Sequence, residues 1–201
     1  MVEQGTPLLK QVAEDHEYAT ELSQKISTVV ETKERMKYKN SLVRNLSRYL
    51  VGMEMVVYPV LNELMDNSPL IPAGKNATEV FEVLKAAHIK IKEELYDVDQ
   101  MVAIQADFPA KLDKLMELVD SVFNRESDLI SQFSDAAFKN KQGTNPLLDQ
   151  KFTSDYLAAK ESATTRPHSY QPLSNPLILA AACACETPFD KMKDSQREFA
   201  D

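Results

Sequence analysis

Apolar residues recur along the first stretch of the chain at Leu9, Val12, Ala19, Leu22 and Ile26, and His16 sits in the same row. The second half repeats the pattern at Phe81, Leu84, Ile91, Leu95 and Val98, with His88 in the row. Steps of three and four place each set on one face of an α-helix, so both imidazoles are expected to point into a core.

The punctuation between stripes predicts four long helices. Thr6-Pro7 supplies a cap and a proline at the first helical position, opening a helix over residues 7–32; a second runs over 35–66. Residues 67–74, Asn-Ser-Pro-Leu-Ile-Pro-Ala-Gly, are dense in turn formers and read as a loop. Asn76 with Glu79 resembles a capping box for a third helix ending near Gln105, and Asp107 with Pro109 starts a fourth that continues to about Asn140. With four glycines in the whole chain and no strand-like runs long enough for a sheet, the fold class expected is all-α, an antiparallel four-helix bundle over residues 1–141.

Residues 142–201 are expected to form a helical extension within the same structural domain. One helix is predicted over 146–162, an extended stretch at Thr165-Arg166-Pro167-His168, and a last short helix over 188–199. Leu177, Ile178, Leu179 and Phe189 make this tail too apolar to hang free, so it should wrap the bundle.

Composition narrows the function classes. The 201 residues are 43% hydrophobic and 27% charged, ordinary for a globular domain, and the net charge of −8 is mixed along the helices. Nucleic acid is not an expected partner, because phosphate backbones need a clustered basic surface. No apolar run approaches the roughly 20 residues that span a bilayer, and residues 1–6 carry no signal-peptide pattern, so no membrane partner and a cytoplasmic location are expected. Cys183 and Cys185 are too few and too close for a disulfide framework and are expected to be small core residues.

The halves echo each other, with Asp15-His16-Glu17 and Ala87-His88-Ile89 at the same place in the first helix of each hairpin, as an internal duplication would leave them. At Glu14-Asp15-His16-Glu17, Leu46-Ser47-Arg48-Tyr49 through Val57-Tyr58-Pro59, Ala87-His88-Ile89-Lys90-Ile91-Lys92-Glu93-Glu94-Leu95, Thr165-Arg166-Pro167-His168 and Pro188-Phe189-Asp190-Lys191-Met192, the sequence resembles the hemerythrin-like family with the HHE cation-binding domain, in the form common in fungi. The resemblance implies a bundle around a non-haem di-iron centre. The ligands would be one His from each of helices one and three, and a His with a Glu four residues later from each of helices two and four.

Carried onto this chain, His16 and His88 are kept, while the second-helix pair falls on Tyr49 and Met53 and the fourth-helix pair on Ser121 and Arg125. Two imidazoles without carboxylates do not suit hard iron cations, and an arginine in the ligand shell repels them, so no metal and no cofactor are expected. Glu54 and Glu126 lie one residue past the family's carboxylate positions, about 100° around the helix, and would rescue a single metal only by local rotation. The expected site is therefore a metal-free pocket for a small anionic or phenolic organic molecule. His16, His88, Arg125 and Tyr49 are its candidate catalytic residues, and Met53, Ser121 and Arg125 contact the ligand. The chemistry expected is a non-redox acid/base isomerisation, elimination or cyclisation in specialised metabolism. Two other readings stay open: an inert structural or interaction protein, and residual metal or oxygen binding.

Overall fold

Thr6 caps the first helix as its side chain predicts, its Oγ1 accepting from the Leu9 backbone N–H at 3.3 Å with Pro7 at the first helical position. The computed structural model describes residues 5–66, 77–168 and 176–200, and the backbone alone at 77–79, 176 and 177. The expected loop at 67–74, the Asn76–Glu79 capping box and the side chain of Leu177 lie outside the described residues.

Helix α1 (Pro7–Thr28) is followed after three residues by α2 (Thr32–Gly52), which passes through a π-helical turn, Met53–Val57, into α3 (Tyr58–Asp66). These three segments form the second rod expected over 35–66. The wide turn has a cause in the chain: Pro59 has no N–H for the Met55 carbonyl, and its ring crowds that carbonyl in a regular helix. The ladder slips by one residue, the Tyr58 N–H bonding to Met53 O.

Helix α4 (Ala77–Gln100) and helix α5 (Phe108–Phe133) complete the bundle, both shorter at their C-termini than the spacing predicts. Lys39 helps stop α4. Its buried Nζ donates to Asp99 O at 2.8 Å and Met101 O at 2.7 Å, satisfying carbonyls that a helix end leaves orphaned. Helix α1 packs on α2 and α5, and α4 packs on α5 and α2, which closes a ring of four rods around one apolar core. The fold is the expected antiparallel four-helix bundle with a C-terminal helical extension packed on it. No helix among the described residues is long and apolar enough to cross a membrane.

The extension begins with a 3₁₀ turn, Pro146–Leu148, capped by Asn145, and helix α6 (Gln150–Ser162), whose N-cap Asp149 accepts from the Lys151 N–H at 2.8 Å. Helix α6 lies across α1 and α2, where Tyr156 Oη donates to Asp15 Oδ2 at 2.7 Å and Lys160 pairs with Asp15. Gly52 permits this approach, because a Cβ there would stand 2.8 Å from Lys160 Cγ and 2.9 Å from Tyr156 Cε2. Both neighbours are pinned by Asp15. Gly52→Ala is therefore expected to destabilise the protein by about 1–3 kcal/mol, the usual range for overpacking, despite alanine's better helix propensity. Urea denaturation checks this, and a stabilised variant would show that α6 does not bear on α2.

Helix α7 (Pro176–Asp194) starts well before the position expected and runs through Pro188. Pro188 has no N–H for the Ala184 carbonyl, and the hydroxyl of Thr187 before it donates to Cys183 O at 2.7 Å. Leu179 and Cys183 are buried against Val51 and Ala163, while Ile178 and Phe189 are more than half exposed and Cys185 is exposed, contrary to expectation. The chain end folds back on α2 instead. Asn40 Nδ2 donates to Glu198 O at 2.9 Å, the Ala200 N–H donates to Ser41 Oγ at 2.9 Å, and the Arg44 guanidinium lies 3.8 Å over the Phe199 ring.

Candidate functional site

At the centre of the bundle, α4 presents His88 to the π-helical turn, α3 and α5 with none of its surface exposed. Its neighbours on the stripe, Leu84, Ile91 and Leu95, are buried as the periodicity predicts. The ring is held from both sides, with Nδ1 2.9 Å from Glu54 Oε1 and Nε2 2.9 Å from Glu126 Oε1. Tyr58 Oη lies 2.6 Å from Nε2 and donates to Glu126 Oε1, and Tyr49 Oη donates to Glu126 Oε2 at 2.5 Å. Lys92, one turn beyond His88 on α4, donates from Nζ to Glu54 Oε2 at 2.8 Å. The result is a chain of buried partners, Lys92–Glu54–His88–Glu126, closed by two phenols.

The electrostatics follow from burial against pairing. Burial disfavours the imidazolium of His88, but the charges and hydrogen bonds of Glu126 and Glu54 together outweigh it and raise its pKa to about 9. Burial likewise opposes ionisation of Glu54, yet Lys92 and His88 hold its carboxyl below the usual range. Tyr49 and Tyr58 are pushed well above 10, first by burial and then by the Glu126 charge. Both phenols are therefore donors at neutral pH.

The structure brings together only part of the expected set. His88, Tyr49 and Met53 are buried in the bundle, whereas Arg125 and Ser121 are exposed on α5. The reason is register: the inward row of α5 is Leu112, Leu115, Val119, Val122, Glu126, Ile130 and Phe133, which turns Glu126 inward and Arg125 out. On α1 the inward row is Leu8, Val12, Asp15, Ala19, Leu22 and Ile26, so His16 falls beside the stripe and not on it. Its Nε2 pairs with Asp120 Oδ1 at 2.8 Å, with the imidazole 30% exposed. The His16 ring stacks on Phe123 at 4.5 Å and Phe123 on Tyr49 at 4.1 Å, so His16 touches the buried network only through an aromatic stack.

Tyr58, Lys92, Glu54 and Glu126 are the members that sequence reasoning placed outside the site. Glu126 had a usable signal, since it completes the heptad-like row with Ile130 and Phe133. Lys92 stands four residues after His88, the spacing of neighbours on a helix surface. Glu54 is buried at the start of the π turn, within reach of His88, a placement that α-helical spacing from Tyr49 did not indicate.

The donors do not fit a di-iron centre. Each nitrogen of His88 already faces a carboxylate, the second oxygens of the two glutamates hold Lys92 and Tyr49, and His16 lies at the surface. Two carboxylates on opposite edges of one ring do not converge on a point. Among the described residues no group of three or more His, Cys, Asp or Glu side chains is placed to hold a metal ion.

No protein-family model matches the chain, and no solved structure does so significantly. The chain is similar to an uncharacterized hemerythrin-like protein of Schizosaccharomyces pombe, with 24% identity over 188 residues, 94% of this chain and 85% of that protein. That likeness, spread over nearly the whole chain, supports the hemerythrin-like family for this all-helical protein.

Proposed function

We propose that this protein is a metal-independent hemerythrin-like bundle serving as a structural or interaction scaffold, with a charge-balanced side-chain network standing where the family resemblance implies iron ligands. The observation that carries this reading is His88 clamped between Glu54 and Glu126, with Lys92 on the outer oxygen of Glu54. An imidazolium and an ammonium offset two carboxylates, so the interior needs no added cation for charge balance. The acid/base reading loses its anion anchor, because Arg125 is exposed, and the network's polar atoms are engaged with one another.

Protein purified from iron-supplemented cells is expected to hold less than about 0.1 equivalents of iron, zinc or manganese per chain by elemental analysis. One equivalent or more that disappears in Glu126→Gln would overturn the proposal in favour of residual metal binding. A cavity ligand would declare itself differently, as a thermal shift with carboxylate- or phenol-bearing metabolites that is lost in Tyr49→Phe.

A further inference from the structure

Two half-buried arginines on α2 lack, among the described residues, the carboxylate partner that most of the buried or half-buried cations have. Arg44 and Arg48 are four residues apart, hence neighbours on one helix face, where like charges repel. Lys92, Lys160, Arg166 and Arg197 are half-buried or buried, and each pairs its charged head with a carboxylate. Among the described residues, neither Arg44 nor Arg48 forms a salt bridge. Each is instead fixed at one edge: Arg48 Nε donates to Lys160 O at 2.6 Å, and Arg44 lies flat over Phe199. Burial, and next the proximity of Arg44, lower the pKa of Arg48, outweighing the opposing charges of Glu161 and Asp15.

Both side chains line a cleft of about 470 Å³ between α2, the segment after α6, and the end of α7. Lys191 adds a third cation on its rim. Thr165 and Asp194 also line it, and the Thr165 hydroxyl oxygen and Asp194 Oδ2 are buried polar atoms without a hydrogen-bond partner among the described residues. Such atoms cost free energy unless a ligand or water meets them. The carboxylate of Asp194 is offset by Arg166 at 3.5 Å, and Glu161 is exposed at the edge.

We propose that this cleft is a phosphate-binding site, taking inorganic phosphate between Arg44, Arg48 and Lys191. Guanidinium forks match the tetrahedral anion's oxygens bidentately, and three cations against one uncompensated carboxylate suit a doubly charged ligand. The Thr165 hydroxyl is a donor for a phosphate oxygen. Asp194 Oδ2 is an acceptor, which selects an oxyanion that still carries a proton: HPO4²⁻ provides a P–OH near neutral pH, whereas sulfate and the dianion of a phosphate monoester do not. The volume falls within the range of small-ligand sites.

The test is titration calorimetry with inorganic phosphate, glycerol phosphate and sulfate at constant ionic strength on the full chain. Phosphate is expected to bind at least ~10-fold more tightly than sulfate, a preference the acceptor oxygen creates. Arg44→Gln is expected to weaken phosphate by ~10-fold or more. Among the described residues that substitution breaks no hydrogen bond and removes only the contact with Phe199, so the bundle is expected to stay folded, and Lys191→Gln gives a second, surface-level check with a smaller loss. Glycerol phosphate, a dianion without a P–OH, is expected to bind more weakly than phosphate, and equal or tighter binding would overturn the assignment to the free ion. Phosphate bound no better than sulfate, or equally well by the Arg44→Gln protein, would overturn the proposal.

Discussion

Glu126→Leu is expected to cost about 3–5 kcal/mol, the range for breaking a buried charged network by removing one partner. For a chain of this size that corresponds to a fall in melting temperature of roughly 6–20 °C. The loss does not come from packing, since leucine fits the inward row of α5 between Val122 and Ile130. It comes from what stays behind: the Tyr49 and Tyr58 hydroxyls lose their acceptor, and His88 keeps one carboxylate where it had two. Arg125→Met is the internal control. Placed on the exposed face, it should change stability by no more than about 0.5 kcal/mol. Urea unfolding of both variants, with an unchanged dependence on denaturant, decides the register of α5. If Arg125→Met were the more damaging substitution, the inward row would be wrong by one residue.

That one-residue step is also what divided the legible from the illegible in the sequence. The rods, their order and the C-terminal extension follow from helical periodicity and from proline and cap residues, because those signals span many residues and tolerate small errors. The stripe of α4 was readable residue by residue, since polar positions flank it on both sides. Helix α1 was not: Leu8 and Leu9 offer two rows a step apart, one burying Asp15 and the other His16, and both fit a 3.6-residue repeat equally well. The choice is made by a long-range partner, α6, whose Tyr156 and Lys160 hold Asp15 and leave His16 to the surface pair with Asp120. On α5 the resemblance itself misdirected the reading, because it set Arg125 at an inward ligand position that the row ending in Ile130 and Phe133 does not support. Helix α7 was not legible because proline is a strong signal for a helix start, whereas Pro188 lies inside this helix.

Between pH 6.5 and 8 the protein is expected to lose stability steadily, and His88 is the cause. Its pKa is about 9 in the fold and about 6.5 in an unfolded chain, so the folded state binds the extra proton between those values. The stabilisation is complete below about pH 6.5 and is lost as pH rises through 9, on the order of 3–4 kcal/mol in all at about 1.4 kcal/mol per pH unit. The groups facing the ring set the limits of this window. Glu54, held below its ordinary range by Lys92 and His88 against the cost of its burial, contributes above about pH 4.5 and is lost on acidification. Lys39 acts with the opposite sign. Burial lowers its pKa to about 8, so the unfolded chain binds the additional proton from there to 10.5, and stability from this residue recovers over that range. The decline is therefore steepest below pH 8 and flattens above it, until Tyr49, Tyr58 and Tyr156, raised by burial and by nearby carboxylates, drive unfolding beyond pH 10. Denaturation at half-unit pH intervals reads this profile directly, and repeating it on Glu126→Leu isolates the source. His16 and His168 are untouched by that substitution, so a slope between pH 6.5 and 8 that shrinks in the variant belongs to His88, and a slope that is the same in both would exclude it.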